Sequence, residues 1–148
     1  MKKITKKKTT MKKLLFVALP LVGILLISFA AAGQVKKGKT RPLTTKQLMG
    51  GLVKPQCASL GAALKEKSAD DKAWAALATK AALLNEASHT LMADGRCPDA
   101  DWKAACETLR HCSGVVLEKI AAKDADGAQE AFGAMTKSCG ACHSKHKK

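Results

Sequence analysis

The sequence predicts an all-α fold, an antiparallel up-down-up-down four-helix bundle, on three observations. Four stretches repeat apolar residues at steps of three and four, the period of a helix with one buried face. Each stretch follows a residue suited to capping a helix, and the connections are short, which makes consecutive helices antiparallel neighbours. No alternating strand pattern, internal repeat or low-complexity run competes with this reading. Composition adds a further hint. The chain has no Tyr, two Trp and three Phe, so a core built mostly of Ala and Leu leaves room for something bulky, as a cofactor is.

The chain opens with a leader. Met1 to Lys13 holds seven lysines, and Leu14 to Ala32 is an uncharged apolar run of 19 residues ending in Ala30-Ala31-Ala32. That is an export signal with a small-residue cleavage site, although the run is also long enough to stay in the bilayer as an anchor. Either way the lysines stay cytoplasmic and the rest is carried across, to the periplasm or otherwise outside. Residues 1–33 are therefore read as signal peptide or membrane anchor, 34–43 as a solvated linker, and 44–148 as the functional domain.

The first helix starts at a capping box, Thr44 with Gln47, bracketed by a hydrophobic staple of Leu43 and Leu48. It runs to about Lys67 with Leu48, Leu52, Leu60 and Leu64 on one face, its early turns weakened by Gly50, Gly51 and Pro55. Ser68 caps the second helix, whose stripe is Trp74, Leu77, Ala81, Leu84, Ala87 and Leu91, and Asp94-Gly95 ends it. Asp99 caps the third, with Trp102, Ala105, Leu109, Cys112, Val116 and Ile120 inward. Asp126 caps the fourth, with Phe132, Met135 and Cys139 inward.

Charge excludes one class of partner. The formal net charge is +14, but the leader takes seven of the 26 basic residues and none of the 12 acids, so the remainder carries 19 against 12, or +7. With only Trp74, Trp102 and Phe132 as aromatics outside the leader, there is no stacking platform interleaved with positive charge, and nucleic-acid binding is set aside.

The chemistry sits at the C-terminus. Cys139-Gly140-Ala141-Cys142-His143 is the C-x-x-C-H signature of covalent haem c attachment. On one helical turn the two thiols reach the two vinyl groups of one porphyrin edge, and the imidazole turns under the ring to the iron. A thioredoxin-like dithiol would need a βαβ setting, and a zinc site would need two more ligands at regular spacing.

Residues Ala131-Phe132-Gly133, Ser138 to His143 and the basic end Lys145 to Lys148 make the chain resemble the cytochrome c prime family of four-helix-bundle haem proteins. The resemblance covers residues 43–148 and is specific at the motif and its C-terminal placement. It implies one of two kinds of site. In one, the iron is five-coordinate beneath an apolar residue of the first helix and binds small gases such as NO or CO. In the other, a Met of the first helix fills the sixth position and the protein transfers electrons.

A count of heights chooses between them. Met49 stands five residues above Thr44; His143 lies 17 residues below Asp126 at the top of the bundle, at height six, so the two are level to within about 1.5 Å. Met49 can then face His143 across the haem plane, with Gly50 and Gly51 allowing close approach of the ring. Leu48 and Leu52 are the apolar alternatives, His89 at height two is a rival ligand, and plain core packing is the commoner fate of a helical Met. His111 and His146 read as solvated. Of the other cysteines, Cys57 and Cys112 each stand 13 residues above their helix start and admit a disulfide, which leaves Cys97 with Cys106. Three pairings exist for four cysteines, and the choice stays open.

The expectation is thus an exported monohaem c-type cytochrome, a one-electron carrier rather than an enzyme, with haem c as its cofactor and His143 and Met49 as axial ligands. Lys145, Lys147 and Lys148, with Lys46 as a further candidate, form a basic rim able to steer an acidic redox partner. A homodimer stays open. The alternative is a five-coordinate gas-binding module crowded by Leu48 or Leu52. A haem peroxidase is set aside because no distal His and Arg pair is in place.

Overall fold

The computed structural model describes residues 38–66 and 70–147. The expectations for the leader, for Lys36 and Lys37, for Ser68 as a cap and for Lys148 lie outside them. The described chain is all helical, with no strand among the described residues: α1 (Thr45–Leu48), a π-helical turn (Met49–Val53), α2 (Lys54–Lys65), α3 (Asp71–Met92), α4 (Ala100–Ala121) and α5 (Ala125–His146). The first three run on without a break and make one helix, so the bundle has four. α2 packs on α3, α3 on α4, α4 on α5 and α5 on α2, a closed ring around a core of Leu60, Leu64, Leu77, Leu84, Val116 and Met135. No helix among the described residues is long and apolar enough to cross a membrane.

Local chemistry sets the ends. The capping box forms as read, Gln47 N–H donating to the Thr44 hydroxyl at 3.1 Å and Thr44 N–H to the Gln47 side chain at 2.9 Å. The staple does not: Leu43 is 47% exposed, and its carbonyl accepts from the Arg96 guanidinium at 2.9 Å. Asp70 caps α3 through the Ala73 N–H, and Asp124 rather than Asp126 caps α5 through the Gly127 N–H at 2.8 Å. Asp124 wins because Lys123 before it turns into the left-handed region (φ 55), which breaks the helical path there. Asp94 and Gly95 take the same left-handed turn after α3, as the sequence leads one to expect.

The π turn has a clear cause. Pro55 carries no N–H and its ring clashes with the carbonyl four residues back, so the turn widens and Lys54 N–H reaches back five residues to the Met49 carbonyl. One extra residue in a helix rotates the following face by about 100°. The buried face therefore steps from Leu48 to Val53, and Leu52, expected inward, is only half-buried.

Within 34–43, the described residues Lys39 to Leu43 are exposed and also tied down: the Thr40 and Arg41 backbone N–H groups and the Thr40 hydroxyl donate to the Asp94 carboxylate, and Lys39 N–H donates to the Asp94 carbonyl. Arg96, 2% exposed, lies beneath this strap against Asp94. A side chain on Gly38 would collide with Asp94 and Arg96, so only glycine passes there.

Candidate functional site

At the end of the bundle where α1 begins and α5 finishes, a cleft is lined by Met49 and Val53 of the π turn, Leu91 of α3, Trp102, Ala105, Cys106 and Leu109 of α4, and Ser138, Cys139, Cys142 and His143 of α5. Four of the six site residues read from the sequence are thus brought together. Leu48 and Leu52 are not among them: Leu48 is buried in the core, and Val53 holds the apolar place beside Met49 that they were assigned, for the reason given by the π turn. His89 is exposed and does not line the cleft. Gly50 and Gly51 are exposed as well, and a Cβ on either would meet no other atom within 4 Å, so they face no close neighbour in the chain.

The wall is apolar and its polar atoms are spent. Trp102 is buried and its indole N–H donates to the Leu91 carbonyl at 2.9 Å, one of the acceptors left over where α3 ends. Ser138 donates to the Met135 carbonyl of its own helix at 2.7 Å. The residues that sequence reasoning missed are Trp102, Cys106, Leu91 and Val53; the stripe patterns put Trp102 and Leu91 inward, but nothing in the spacing said which level of the bundle they share with the motif.

Two contacts fasten the motif's helix to α4. Lys145 bonds to the Asp101 carboxylate at 2.6 Å, and the His146 ring stands edge-on to Trp102 with centroids 5.2 Å apart. His146, expected in solvent, is thus tucked in: its side chain is 14% exposed and Nε2 lies 3.5 Å from Asp99 Oδ1. The Lys145 bond holds the Asp101 carboxyl below its ordinary range. It also occupies one charge of the expected basic rim, leaving Lys46 and Lys147 exposed near the cleft's end of the chain.

All six cysteines are free thiols in the structure, so neither Cys57 with Cys112 nor Cys97 with Cys106 is bonded. Burial pushes the Cys139 thiol up, and burial and then the neighbouring Cys139 push the Cys142 thiol up, so both are protonated at neutral pH. No group of three or more His, Cys, Asp or Glu among the described residues is arranged to hold a metal ion, and the zinc reading gains no support.

The donor set fits a covalently held haem: two thiols one turn apart on α5, the imidazole of the next residue, and a thioether from another helix lining the same apolar cleft. The cavity in the cleft is about 40 Å³, well short of the roughly 300–1,000 Å³ of small-molecule pockets, so seating a haem there would require its walls to part. No protein-family model, curated protein or solved structure matches the chain.

Proposed function

We propose that the protein is an exported monohaem c-type cytochrome that carries single electrons, held to its haem by Cys139 and Cys142, with His143 as proximal and Met49 as distal iron ligand. The observation that carries this reading is the cleft that Met49 shares with Cys139, Cys142 and His143, residues from the first and last helices. The antiparallel up-down-up-down order belongs to it. Trp102 bonds to Leu91 and Asn85 bonds to the Arg110 carbonyl, so numbers fall along α3 as they rise along α4, as in oppositely directed neighbours.

Bound haem supplies an iron that alternates between ferric and ferrous, which is the chemistry of a one-electron carrier. The chain's own residues define the rest. His143 and Met49 would hold the iron of a bound haem, and the Met49 thioether would favour its ferrous form. Val53, Leu91, Trp102, Ala105 and Leu109 keep water from the inner wall. The lining has no carboxylate, Lys or Arg, so it offers nothing to cleave a peroxide bond, which favours a carrier over an enzyme. The partner this predicts is a redox protein with an acidic docking face, met at the open side of the cleft beside Lys46 and Lys147.

The absorption spectrum of the ferrous protein at neutral pH tests the assignment. It is six-coordinate and low spin; Met49→Ala turns it high spin, lowers the potential and opens it to carbon monoxide, whereas Leu48→Ala changes none of these. Ferrous protein that is high spin and binds carbon monoxide before any mutation returns the iron to the five-coordinate gas-binding class. Cys139→Ala or Cys142→Ala leaves haem that acid-acetone extracts, and native mass spectrometry reads an N-terminus near Gln34 where the leader is cut.

A further inference from the structure

We propose that Cys106 and Cys142 form a dithiol-disulfide pair which, when oxidised, bars haem from one of its two attachment thiols. The blocking half rests on the function proposed above, whereas the pairing stands without it.

Register carries the pairing. Trp102 meets His146 edge-on at 5.2 Å between centroids, and Asp101 is bonded to Lys145, which fixes the level of α5 against α4. With the two helices oppositely directed, one turn up from Trp102 and one turn back from His146 lead, on the same two faces, to Cys106 and Cys142. Both line the cleft, whose cavity is only about 40 Å³. Their neighbours on this seam, Ala105 and Ser138, are small enough for the two backbones to approach, and a disulfide needs Cα atoms about 4.4–6.8 Å apart. Burial, and after it Cys142, Cys97 and Glu107, push the Cys106 thiol up to about 12. Cys106 is 3% exposed, while Cys142 is half-buried at the cleft's wall, so Cys142 is the thiol an outside reagent reaches first.

The oxidant is a small-molecule disulfide such as oxidised glutathione. Cys142 gives its proton to solvent and its thiolate attacks one of the sulfurs, forming a mixed disulfide and expelling one glutathione thiolate, which takes up a proton. Cys106 gives its proton to solvent and attacks the Cys142 sulfur, expelling the second glutathione thiolate. The protein loses two electrons and two protons, and the two electrons reduce the glutathione disulfide to two thiols. A thiol reductant reverses the step and frees Cys142.

The test uses the full chain made without haem, treated with oxidised glutathione, alkylated and digested with trypsin without reduction. Trypsin leaves Cys106 on residues 104–110 and Cys139 with Cys142 on residues 138–145. The expected product joins these two peptides, persists in Cys139→Ala and vanishes in Cys142→Ala. A bond within 138–145, a bond from Cys106 to the Cys97 peptide, or Cys106 recovered alkylated overturns the pairing. In parallel, covalent haem yield under oxidised glutathione is about threefold or more higher in Cys106→Ser than in the unmutated chain, and equal under reductant. Equal yields under both conditions overturn the block. Unmutated, reduced protein that takes up no covalent haem overturns the proposed function and the block with it, while the peptide map still decides the pairing. Cys106→Ala repeats the comparison where Ser at this buried position prevents folding, and the map of the unmutated chain needs no variant.

Discussion

The two ends of the bundle obey the same amphipathic rule with different side chains. At the end away from the motif, Leu60, Leu64, Leu77, Val116 and Ile120 are all but fully buried, and Gly61 leaves its space to the Phe132 ring. At the motif's end the facing positions are Ala105, Cys106, Ser138, Cys139 and Cys142, short side chains that leave the walls of Val53, Leu91, Trp102 and Leu109 lining a cleft instead of closing it. One end is shaped by burial of branched apolar groups; the other keeps apolar walls and places donor atoms along them. The difference teaches that stability and chemistry are divided along the axis of one short bundle.

Substitutions that open the closed end have the largest effect on stability. Leu77→Ala, at a buried position near the start of α3, costs about 2–5 kcal/mol in urea unfolding, since the cavity has little chance to collapse. Val53→Ala at the cleft costs less, near 1 kcal/mol for the smaller group removed. Equal losses at the two sites would erase the contrast between the ends.

Overpacking the closed end comes next. A Cβ on Gly61 would sit 2.8 Å from two carbons of the Phe132 ring, so Gly61→Ala costs about 1–3 kcal/mol. The double variant with Phe132→Leu recovers part of that loss, and a double-mutant cycle in urea reads the coupling directly. Additive losses would mean that the ring moves aside without resistance.

The strap over the cleft's end is sharpened by acid. Burial pushes the Asp94 carboxyl up, but the N–H groups of Arg41 and Thr40, the Thr40 hydroxyl and the Arg96 guanidinium outweigh it and hold the group below its ordinary value. A carboxyl whose folded pKa is depressed stabilises the fold above its unfolded value of about 3.9, and that contribution is lost as pH falls through the lower folded value. Asp94→Asn therefore flattens the fall in stability below about pH 4. Unfolding midpoints at pH 6 and pH 3 for the two proteins measure it; parallel slopes would show that other carboxylates carry the acid response.

The smallest effect concerns the glycines of the π turn. Gly50 is exposed with open space around its missing Cβ, so Gly50→Ala stabilises the haem-free chain by about 0.4–1 kcal/mol through the unfolded state. Thermal unfolding reads that gain, and under the proposed haem assignment the spectrum of the same variant tells whether the glycine also serves the ring. A lost low-spin spectrum would assign Gly50 to the cleft after all.

What the sequence determined by itself was set by local physics. Helix periods, the Thr44 capping box, the left-handed Asp94-Gly95 turn and the Cys-x-x-Cys-His spacing depend on residues within a turn or two of one another, and each is legible without tertiary context. That Met49 stands at the level of the motif was legible as well, because height in a bundle follows from residue count and rise alone. Azimuth was not. The π turn forced by Pro55 rotated the first helix and exchanged Leu52 for Val53, a displacement that no count of residues records. The Asp94 and Arg96 clasp on residues 38–43, the docking of His146 on Trp102 and the approach of Cys106 to the motif all join segments far apart in the chain. Such contacts are chosen by which faces the helices turn to one another when the whole core packs, and only the tertiary structure decides that.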